Sequence, residues 1–148
     1  NGLPFLISQG THSLIKWKEY DLYKTANDMV IYSMLLNEVK PEIIIELGSG
    51  SGGSAVWMSD ISRALGFETH VFSYDINKPN FDYSGITFLE FDLNELGINK
   101  DLPLSDSFDG KRKLIIEDAH VNILSVLYAI DKFVLNKTRR VYPSKIFH

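Results

Sequence analysis

A glycine-rich segment at residues 48–54 directly follows the apolar run Ile43–Leu47 and reads GSGSGGS. Glycines after a strand let the backbone turn sharply and approach a ligand closely, and the N-terminus of the following helix offers free N–H groups. Three of these glycines also fit the dinucleotide-binding pattern G-x-G-x-x-G, so the segment predicts a cofactor-binding loop. The cofactor-binding residues predicted in this loop are Gly48, Ser49, Gly50, Gly53 and Ser54.

Two aspartates follow the next two β-rich runs of the sequence. Asp75 closes the run Thr69–Tyr74, and Asp92 follows the run Ile86–Phe91. An acid at the end of the strand after a glycine loop is placed to accept hydrogen bonds from the two hydroxyls of a ribose. We therefore predict that Asp75 binds the ribose of a nucleoside cofactor and that Asp92 lines the same cleft. The alternative for Asp75 is a simple turn residue or helix cap.

Glu46 is an acid inside the first apolar strand, where a dinucleotide site usually carries an apolar residue. A carboxylate there can hold the ammonium of a methionine group, directly or through water, and it would repel a pyrophosphate. The other acids at the strand ends make the cleft more negative, which suits a cationic sulfonium better than a doubly anionic ligand. The pattern favours S-adenosylmethionine as the cofactor, with an NAD(P)-linked oxidoreductase as the alternative.

The sequence Glu117-Asp118-Ala119-His120 places two carboxylates and a histidine directly after a fourth apolar run, Lys113–Ile116. Oxygen ligands of this kind suit Mg²⁺, which is commonly held by one or two carboxylates. His120 is a candidate general base toward a substrate hydroxyl, because the unperturbed pKa of histidine lies near the working pH. The alternative is that Asp118 and His120 cap the helix that follows.

The elements that must position these residues alternate between strands and helices. Apolar residues recur at helical spacing from Asp21 to Val39, and Lys40-Pro41 ends that predicted helix. The remaining predicted elements are the strands Glu42–Leu47, Thr69–Tyr74, Ile86–Phe91 and Lys113–Ile116 and the helices Ser54–Leu65 and Val121–Val134. This alternation predicts an α/β fold, a Rossmann-like three-layer parallel sheet with helices on both faces. Ligands bind beyond the carboxyl ends of such strands, where the polar residues described above lie.

The composition of the 148 residues excludes several classes of protein. The absence of cysteine rules out a disulfide scaffold, and the net charge of −4 argues against a nucleic-acid binder. No apolar run approaches the ~20 residues that a membrane-spanning helix needs, and no signal peptide is evident, so we expect a cytoplasmic protein. We expect one domain over residues 1–148, comprising an N-terminal segment and helix (1–40), a cofactor-binding core (41–135) and a tail (136–148).

Several of these motifs together resemble the cephalosporin-hydroxylase-type family, which also includes rhamnosyl O-methyltransferases. The resemblance runs from about residue 15 to 135 and is carried by residues 17–20 with Lys24, 40–48, 52–54, Asp75 and 116–122. Members of the family look like class I S-adenosylmethionine-dependent O-methyltransferases with a Rossmann-like sheet. The resemblance therefore implies cofactor-loop roles for Glu46, Gly48 and Ser54, a ribose contact for Asp75 and a Mg²⁺ ligand at Asp118.

The family's pattern extends beyond the motifs present in this chain. The family completes its metal site with a Glu-Asp pair after a fifth strand, whereas residues 135–148 contain no acid. The resemblance thus implies a fold truncated after the fourth strand and its helix, with an incomplete Mg²⁺ site. The edge of Lys113–Ile116 would then be exposed and available for self-association into a homo-oligomer, because Val141-Tyr142 adds only a stub of strand before Pro143.

The function that we expect from these observations is methyl transfer from S-adenosylmethionine to a hydroxyl of a small molecule or sugar. Such a reaction needs mainly positioning of the two reactants and removal of a proton, for which His120 is the candidate. The non-enzyme alternative is a remnant that keeps the cofactor cleft but lacks the chemistry.

Overall fold

The computed structural model describes residues 15–96, 102–119, 121–131 and 145–147. Its strands are β1 (Ile15–Trp17), β2 (Tyr20–Leu22), β3 (Ile43–Leu47), β4 (His70–Asp75), β5 (Ile86–Glu90), β6 (Lys113–Glu117) and β7 (Lys145–Phe147). Its α-helices are α1 (Ala26–Val39), α2 (Gly53–Ala64) and α3 (Ile123–Ile130), and short 3₁₀ turns occupy Leu93–Glu95 and Ser105–Phe108. Within these ranges, no helix has both the length and the apolar character that crossing a membrane requires.

Five strands form one parallel sheet in the order β5-β4-β3-β6-β7. The central strand β3 pairs on both sides, so that Leu47 lies between Tyr74 of β4 and Glu117 of β6. The carboxyl ends of three strands therefore meet at one edge of the sheet, where the sequence predicted the ligand site. The predicted α/β class, a Rossmann-like parallel sheet, is confirmed.

The two faces of the sheet bury separate apolar clusters, because successive side chains of a strand point to opposite faces. On one face Ile44 packs in a cluster with Leu36 of α1 and Trp57 of α2. On the other face Ile45 packs in a cluster with Phe108 and with Val126 of α3. Burial on both faces explains why β3 is almost continuously apolar, and it confirms the predicted helices on both sides of the sheet.

The N-terminal region differs from the prediction of a helix that starts at Asp21. Residues 15–22 instead form the antiparallel hairpin β1–β2, and α1 begins only at Ala26. The Thr25 hydroxyl accepts a hydrogen bond from the Asp28 backbone N–H, and the Asp28 carboxylate accepts one from the Thr25 N–H. This capping box sets the start of the helix. Leu22 lies before that start and is buried as part of β2.

The C-terminal part of the sheet differs from the prediction in one respect. The residues Lys145–Phe147 form a fifth strand that pairs in parallel with β6, with Ile115 opposite Ile146. This pairing covers the β6 edge at residues 114–116, which the sequence predicted to be exposed. The predicted stub at Val141-Tyr142 lies outside the described residues.

Candidate functional site

A cavity of about 1000 Å³ opens at the carboxyl ends of β3, β4 and β6. Its walls come from the glycine loop, the strand ends, the turn after β5 and the segment between β2 and the first turns of α1. The described lining residues are Asp21, Tyr23, Lys24, Asp28, Tyr32, Gly48, Ser49, Gly50, Ser51, Gly53, Ser54, Asp75, Ile76, Phe91, Asp92, Leu93, Asn94, Glu117, Asp118, Ala119 and Val121. The cavity therefore brings together most of the residues that the sequence singled out.

The glycine loop turns tightly between β3 and α2 because two of its positions accept no side chain. Gly48 has a φ of 103°, and a Cβ there would lie 2.8 Å from the backbone carbonyl of Asp118. At Gly53 a Cβ would overlap the carbonyl oxygen of Asp21. Gly50 differs from both, because its φ is 50° but the space around it is open. Gly50 is therefore the glycine of the loop whose added atoms would enter the cavity.

The buried carboxyl group of Glu46 is connected to the glycine loop by hydrogen bonds through serine hydroxyls. One carboxylate oxygen accepts a hydrogen bond from the Ser54 hydroxyl and the other from the Ser73 hydroxyl. The Ser49 and Ser73 hydroxyls are 2.6 Å apart, so the network reaches both ends of the loop. Burial raises the pKa of Glu46 to about 7, although the two serine hydrogen bonds act in the opposite direction.

This geometry bears on the ligand-binding role that the sequence predicted for Glu46. The sequence predicted that its carboxylate holds an ammonium group of the ligand, directly or through water. The side chain is 1% exposed, and both oxygens are directed to serines. Ser54, which donates to Glu46, and Ser49, which is linked to it through Ser73, both line the cavity. Because apolar clusters cover both faces of the sheet, this buried carboxyl group depends on the two serine hydroxyls for its hydrogen bonds.

The Asp75 carboxylate links the end of β4 to the glycine loop. One oxygen accepts a hydrogen bond from the Gly50 backbone N–H at 2.9 Å, and the other accepts one from the Asn77 N–H at 3.1 Å. The carboxylate still lines the cavity, and each oxygen has a further lone pair for a ligand hydroxyl. In this one conformation, Asp75 can therefore both hold the turn through backbone N–H groups and accept hydrogen bonds from a ligand.

Asp92 lies in the turn after β5, the strand that pairs with β4. Its carboxylate accepts hydrogen bonds from the backbone N–H and the side-chain amide of Asn94, both at 2.9 Å. Asp92 and Asn94 both line the cavity beside Phe91 and Ile76. This side of the cavity combines apolar surface with polar groups, which is the composition typical of small-molecule and cofactor sites.

Asp118 is paired with a lysine that carried no assigned role in the sequence. The Lys24 ammonium lies 2.5 Å from the Asp118 carboxylate and 5.5 Å from the centre of the Tyr32 ring. Burial lowers the pKa of Lys24, but the hydrogen bond and the charge of Asp118 outweigh it, and the net shift is upward. Lys24 is among the residues that carry the family resemblance, but only the tertiary structure shows that it pairs with Asp118, 94 positions away.

The described residues do not complete a metal site around Asp118. A Glu117 carboxylate oxygen accepts a hydrogen bond from the Ala119 N–H, and Lys24 occupies one side of Asp118. In the part of the chain that the structure describes, no three histidine, aspartate or glutamate side chains converge to hold a cation. His120, the predicted general base, lies outside the described residues.

The charges on the cavity wall are strongly asymmetric. Among the described lining residues there are six carboxylates and one ammonium, that of Lys24. The acids are Asp21, Asp28, Asp75, Asp92, Glu117 and Asp118. Asp21 and Asp28 were not predicted as site residues, because the sequence suggested that both lie on one helix. The cavity favours a ligand that carries positive charge and hydroxyl groups.

Comparisons with known proteins agree with this geometry. Residues 9–90 match the model of the family described as Rhamnosyl O-methyltransferase/CmcI. The Rhamnosyl O-methyltransferase of Mycobacterium leprae (strain TN) is 28% identical over 109 residues, which are 70% of this chain and 48% of that protein. The protein of the same name from Mycobacterium tuberculosis (strain ATCC 25618 / H37Rv) is 28% identical over 104 residues, or 66% and 42% of the two chains.

Solved structures of similar fold carry the same family name. A CmcI apo-structure superimposes with a TM-score of 0.66 at 22% identity, covering 81% of this chain and 52% of that one. A CmcI structure with Mg-SAM gives a TM-score of 0.66 at 23% identity, with the same coverage. At this level of identity the likeness establishes the fold. The chain spans about half the length of the relatives that it matches.

Proposed function

Because the chain belongs to the Rhamnosyl O-methyltransferase/CmcI family, we propose that its cavity binds S-adenosylmethionine and serves methyl transfer to a hydroxyl oxygen. The observation that carries this proposal is the excess of carboxylates around a cavity bounded by a glycine loop and Asp75. A sulfonium cation is attracted by such a field, whereas the pyrophosphate of NAD(P) is repelled by it. The acceptor that we propose is a small molecule or a sugar.

Three parts of the cavity wall would hold the cofactor. Asp75 would accept hydrogen bonds from the ribose hydroxyls, since its carboxylate lines the cavity and retains acceptor capacity. The glycine loop would approach the cofactor closely at Gly50, where the surrounding space is open. Asp92, beside Asn94 and the apolar side chains, would contribute the contacts to the base.

S-adenosylmethionine supplies a methyl group activated by its sulfonium, so the protein's tasks are orientation and proton removal. Positive charge on sulfur decreases as the methyl group is transferred, so the acidic wall contributes mainly to binding of the cofactor. The rate enhancement must then come from holding the acceptor oxygen in line with the methyl carbon. His120 is the proposed base on the strength of its sequence position, two residues after Asp118. Mg²⁺ is assigned no step, because the described residues around Asp118 lack a complete ligand set.

The proposal is tested by titrating the protein with S-adenosylhomocysteine and with NAD in a calorimeter. We expect S-adenosylhomocysteine to bind and NAD to bind much more weakly. Replacing Asp75 with alanine should remove a charge-assisted contact of about 1.5–3 kcal/mol, roughly a ten- to hundredfold loss of affinity. Asp82→Ala is the matched control, because Asp82 is an exposed aspartate away from the cavity wall. Tighter binding of NAD, or full affinity in Asp75→Ala, would contradict the proposed cofactor.

The catalytic part of the proposal needs a separate measurement. Transfer of a labelled methyl group to a panel of sugars and small hydroxylated molecules would identify an acceptor. Cofactor binding without transfer to any acceptor would support the remnant alternative instead.

A further inference from the structure

The carboxylate of Asp60, on α2 and away from the cavity wall, gathers donors from two other parts of the chain. The indole Nε1–H of Trp17 donates to it at 2.8 Å, and the ammonium of Lys18 lies 2.8 Å from it. The Tyr83 hydroxyl donates to both of its oxygens, at 2.9 and 3.0 Å. Burial raises the pKa of Asp60, but the hydrogen bonds from Lys18, Trp17 and Tyr83 outweigh burial and lower it.

Two of these donors belong to the β1–β2 hairpin, at the turn where the strands connect. Trp17 is the last residue of β1, and Lys18 follows it in the turn with a φ of 55°. The Lys18 ammonium also donates to the Tyr83 hydroxyl, so the turn is fixed at Asp60 and Tyr83 together. Asp60 therefore connects the turn of the hairpin to the third turn of α2.

The other side of the hairpin lies directly against the glycine loop. The Asp21 carbonyl oxygen accepts a hydrogen bond from the Ser51 hydroxyl at 2.7 Å. The same oxygen is so close to Gly53 that a Cβ on this glycine would overlap it. The Tyr20 ring packs on Phe81 with centroids 4.6 Å apart. These contacts hold the hairpin against the glycine loop and α2.

The second strand of this hairpin and the residues that follow it form a wall of the cavity. Asp21 and Tyr23 line it, and Lys24 reaches the Asp118 carboxylate from the same short segment. Any displacement of β2 would move these three side chains, because they lie only one to four positions after Tyr20. The position of this wall thus depends on the contacts that hold the hairpin, including those to Asp60.

We propose that Asp60 is a positioning residue for cofactor binding, acting by fixing the β1–β2 hairpin so that Asp21, Tyr23 and Lys24 complete the cavity. This inference rests on the proposed function for its ligand, S-adenosylmethionine. Asp60 touches no ligand itself. Its effect is transmitted through Trp17 and Lys18 to the segment 20–24.

The test compares Asp60→Ala and Asp60→Asn with a control, Glu68→Ala. Glu68 is an exposed acid beyond the end of α2 and does not line the cavity. S-adenosylhomocysteine affinity is measured by calorimetry at a temperature where all variants are folded, and amide hydrogen exchange is measured over residues 20–24. Asp60→Asn keeps an acceptor for Trp17 and Tyr83 while removing the charge that pairs with Lys18, so it should fall between wild type and Asp60→Ala.

We expect Asp60→Ala to bind S-adenosylhomocysteine about tenfold more weakly and to exchange the amides of residues 20–24 faster. Glu68→Ala should match the wild type in both measurements. Wild-type affinity and wild-type exchange in a folded Asp60→Ala protein would overturn the inference. If the wild type itself binds no S-adenosylhomocysteine, the proposed function fails, and unchanged exchange in Asp60→Ala would separately refute the positioning role. Should Asp60→Ala not fold, Lys18→Met supplies the same comparison, because it removes the ion pair and leaves the carboxylate in place.

Discussion

Lys24 and Asp118 are 94 positions apart in the chain, yet the Lys24 ammonium lies 2.5 Å from the Asp118 carboxylate. The two partners differ in environment, because the lysine side chain is 9% exposed and the aspartate side chain is 40% exposed. The pair connects the N-terminal segment to the end of β6. It also places a positive group beside the carboxylate that the family resemblance assigns to Mg²⁺.

Because the two side chains differ in exposure, we expect replacement of Asp118 and replacement of Lys24 to lower the free energy of unfolding by different amounts. Asp118→Asn leaves a buried ammonium without its carboxylate and should cost about 2–4 kcal/mol, whereas Lys24→Met leaves a hydrated carboxylate and should cost about 1 kcal/mol. Denaturant unfolding of the two variants measures both values. Equal losses, or a larger loss in Lys24→Met, would show that burial of the lysine does not control the pair.

Removal of divalent metal should not weaken cofactor binding. Lys24 already neutralises Asp118, and the described residues offer no complete set of metal ligands there. S-adenosylhomocysteine should therefore bind equally well with excess chelator and with millimolar Mg²⁺, as measured by calorimetry. A gain of tenfold or more in affinity on adding Mg²⁺ would mean that the metal displaces Lys24 when the cofactor is bound.

Gly50→Val should abolish cofactor binding in a folded protein. Gly50 has a φ of 50° and open space around it, so the added atoms would occupy the cavity. The matched control is Gly66→Val, because Gly66 also has a positive φ, of 85°, and open surroundings but lies at the end of α2. Both variants should lose a similar stability of about 1–2 kcal/mol from backbone strain. Normal S-adenosylhomocysteine binding by Gly50→Val would show that the ligand does not approach the loop at this position.

Glu46 should make the folding stability depend on pH. Burial raises its pKa from 4.5 to about 7, so the folded protein holds a proton that the unfolded chain releases between these values. The free energy of unfolding therefore includes a contribution that is present below pH 4.5 and is lost as the pH rises through 7. Glu46→Gln removes this contribution and should flatten the pH dependence by on the order of 2–3 kcal/mol between pH 5 and pH 8.

The control for this measurement is Glu68→Gln, since Glu68 is an exposed glutamate. Its unfolding curve should follow that of the wild type across the same pH range. If Glu46→Gln also follows the wild type, the Glu46 carboxyl is ionised in the folded protein at neutral pH and burial does not dominate its environment.

Local patterns in the sequence were sufficient to predict the strands and helices of the core. β3 is recognisable because three consecutive isoleucines lead into glycines, and a strand buried on both faces requires such a run. The position of the glycine loop and Asp75 at one cavity could be predicted in the same way, because parallel strands bring their carboxyl ends to one edge of the sheet. These features depend on residues that are neighbours in the chain or on a general rule of sheet topology.

Contacts between distant segments could be decided only by the tertiary structure. The helical spacing from residue 21 to 39 did not reveal that Thr25 and Asp28 cap the helix. The helix therefore begins after residue 25, and Tyr20–Leu22 forms a strand instead. That change moves Asp21 and Lys24 from a helix surface to the wall of the cavity. It likewise brings Trp17 and Lys18 to Asp60, a contact that packing between the hairpin and α2 creates.

For Glu46, the sequence predicted the position of the residue, and the tertiary structure decided the contacts of its side chain. The sequence determined that an acid lies one residue before the end of the central strand, beside the glycine loop. Only the packed structure decided that its carboxylate faces Ser54 and Ser73 and lies beneath the loop. The physical reason is that the alternation of side chains along β3 assigns Glu46 to the face covered by α1 and α2, where a buried carboxylate must find hydrogen-bond donors within the protein.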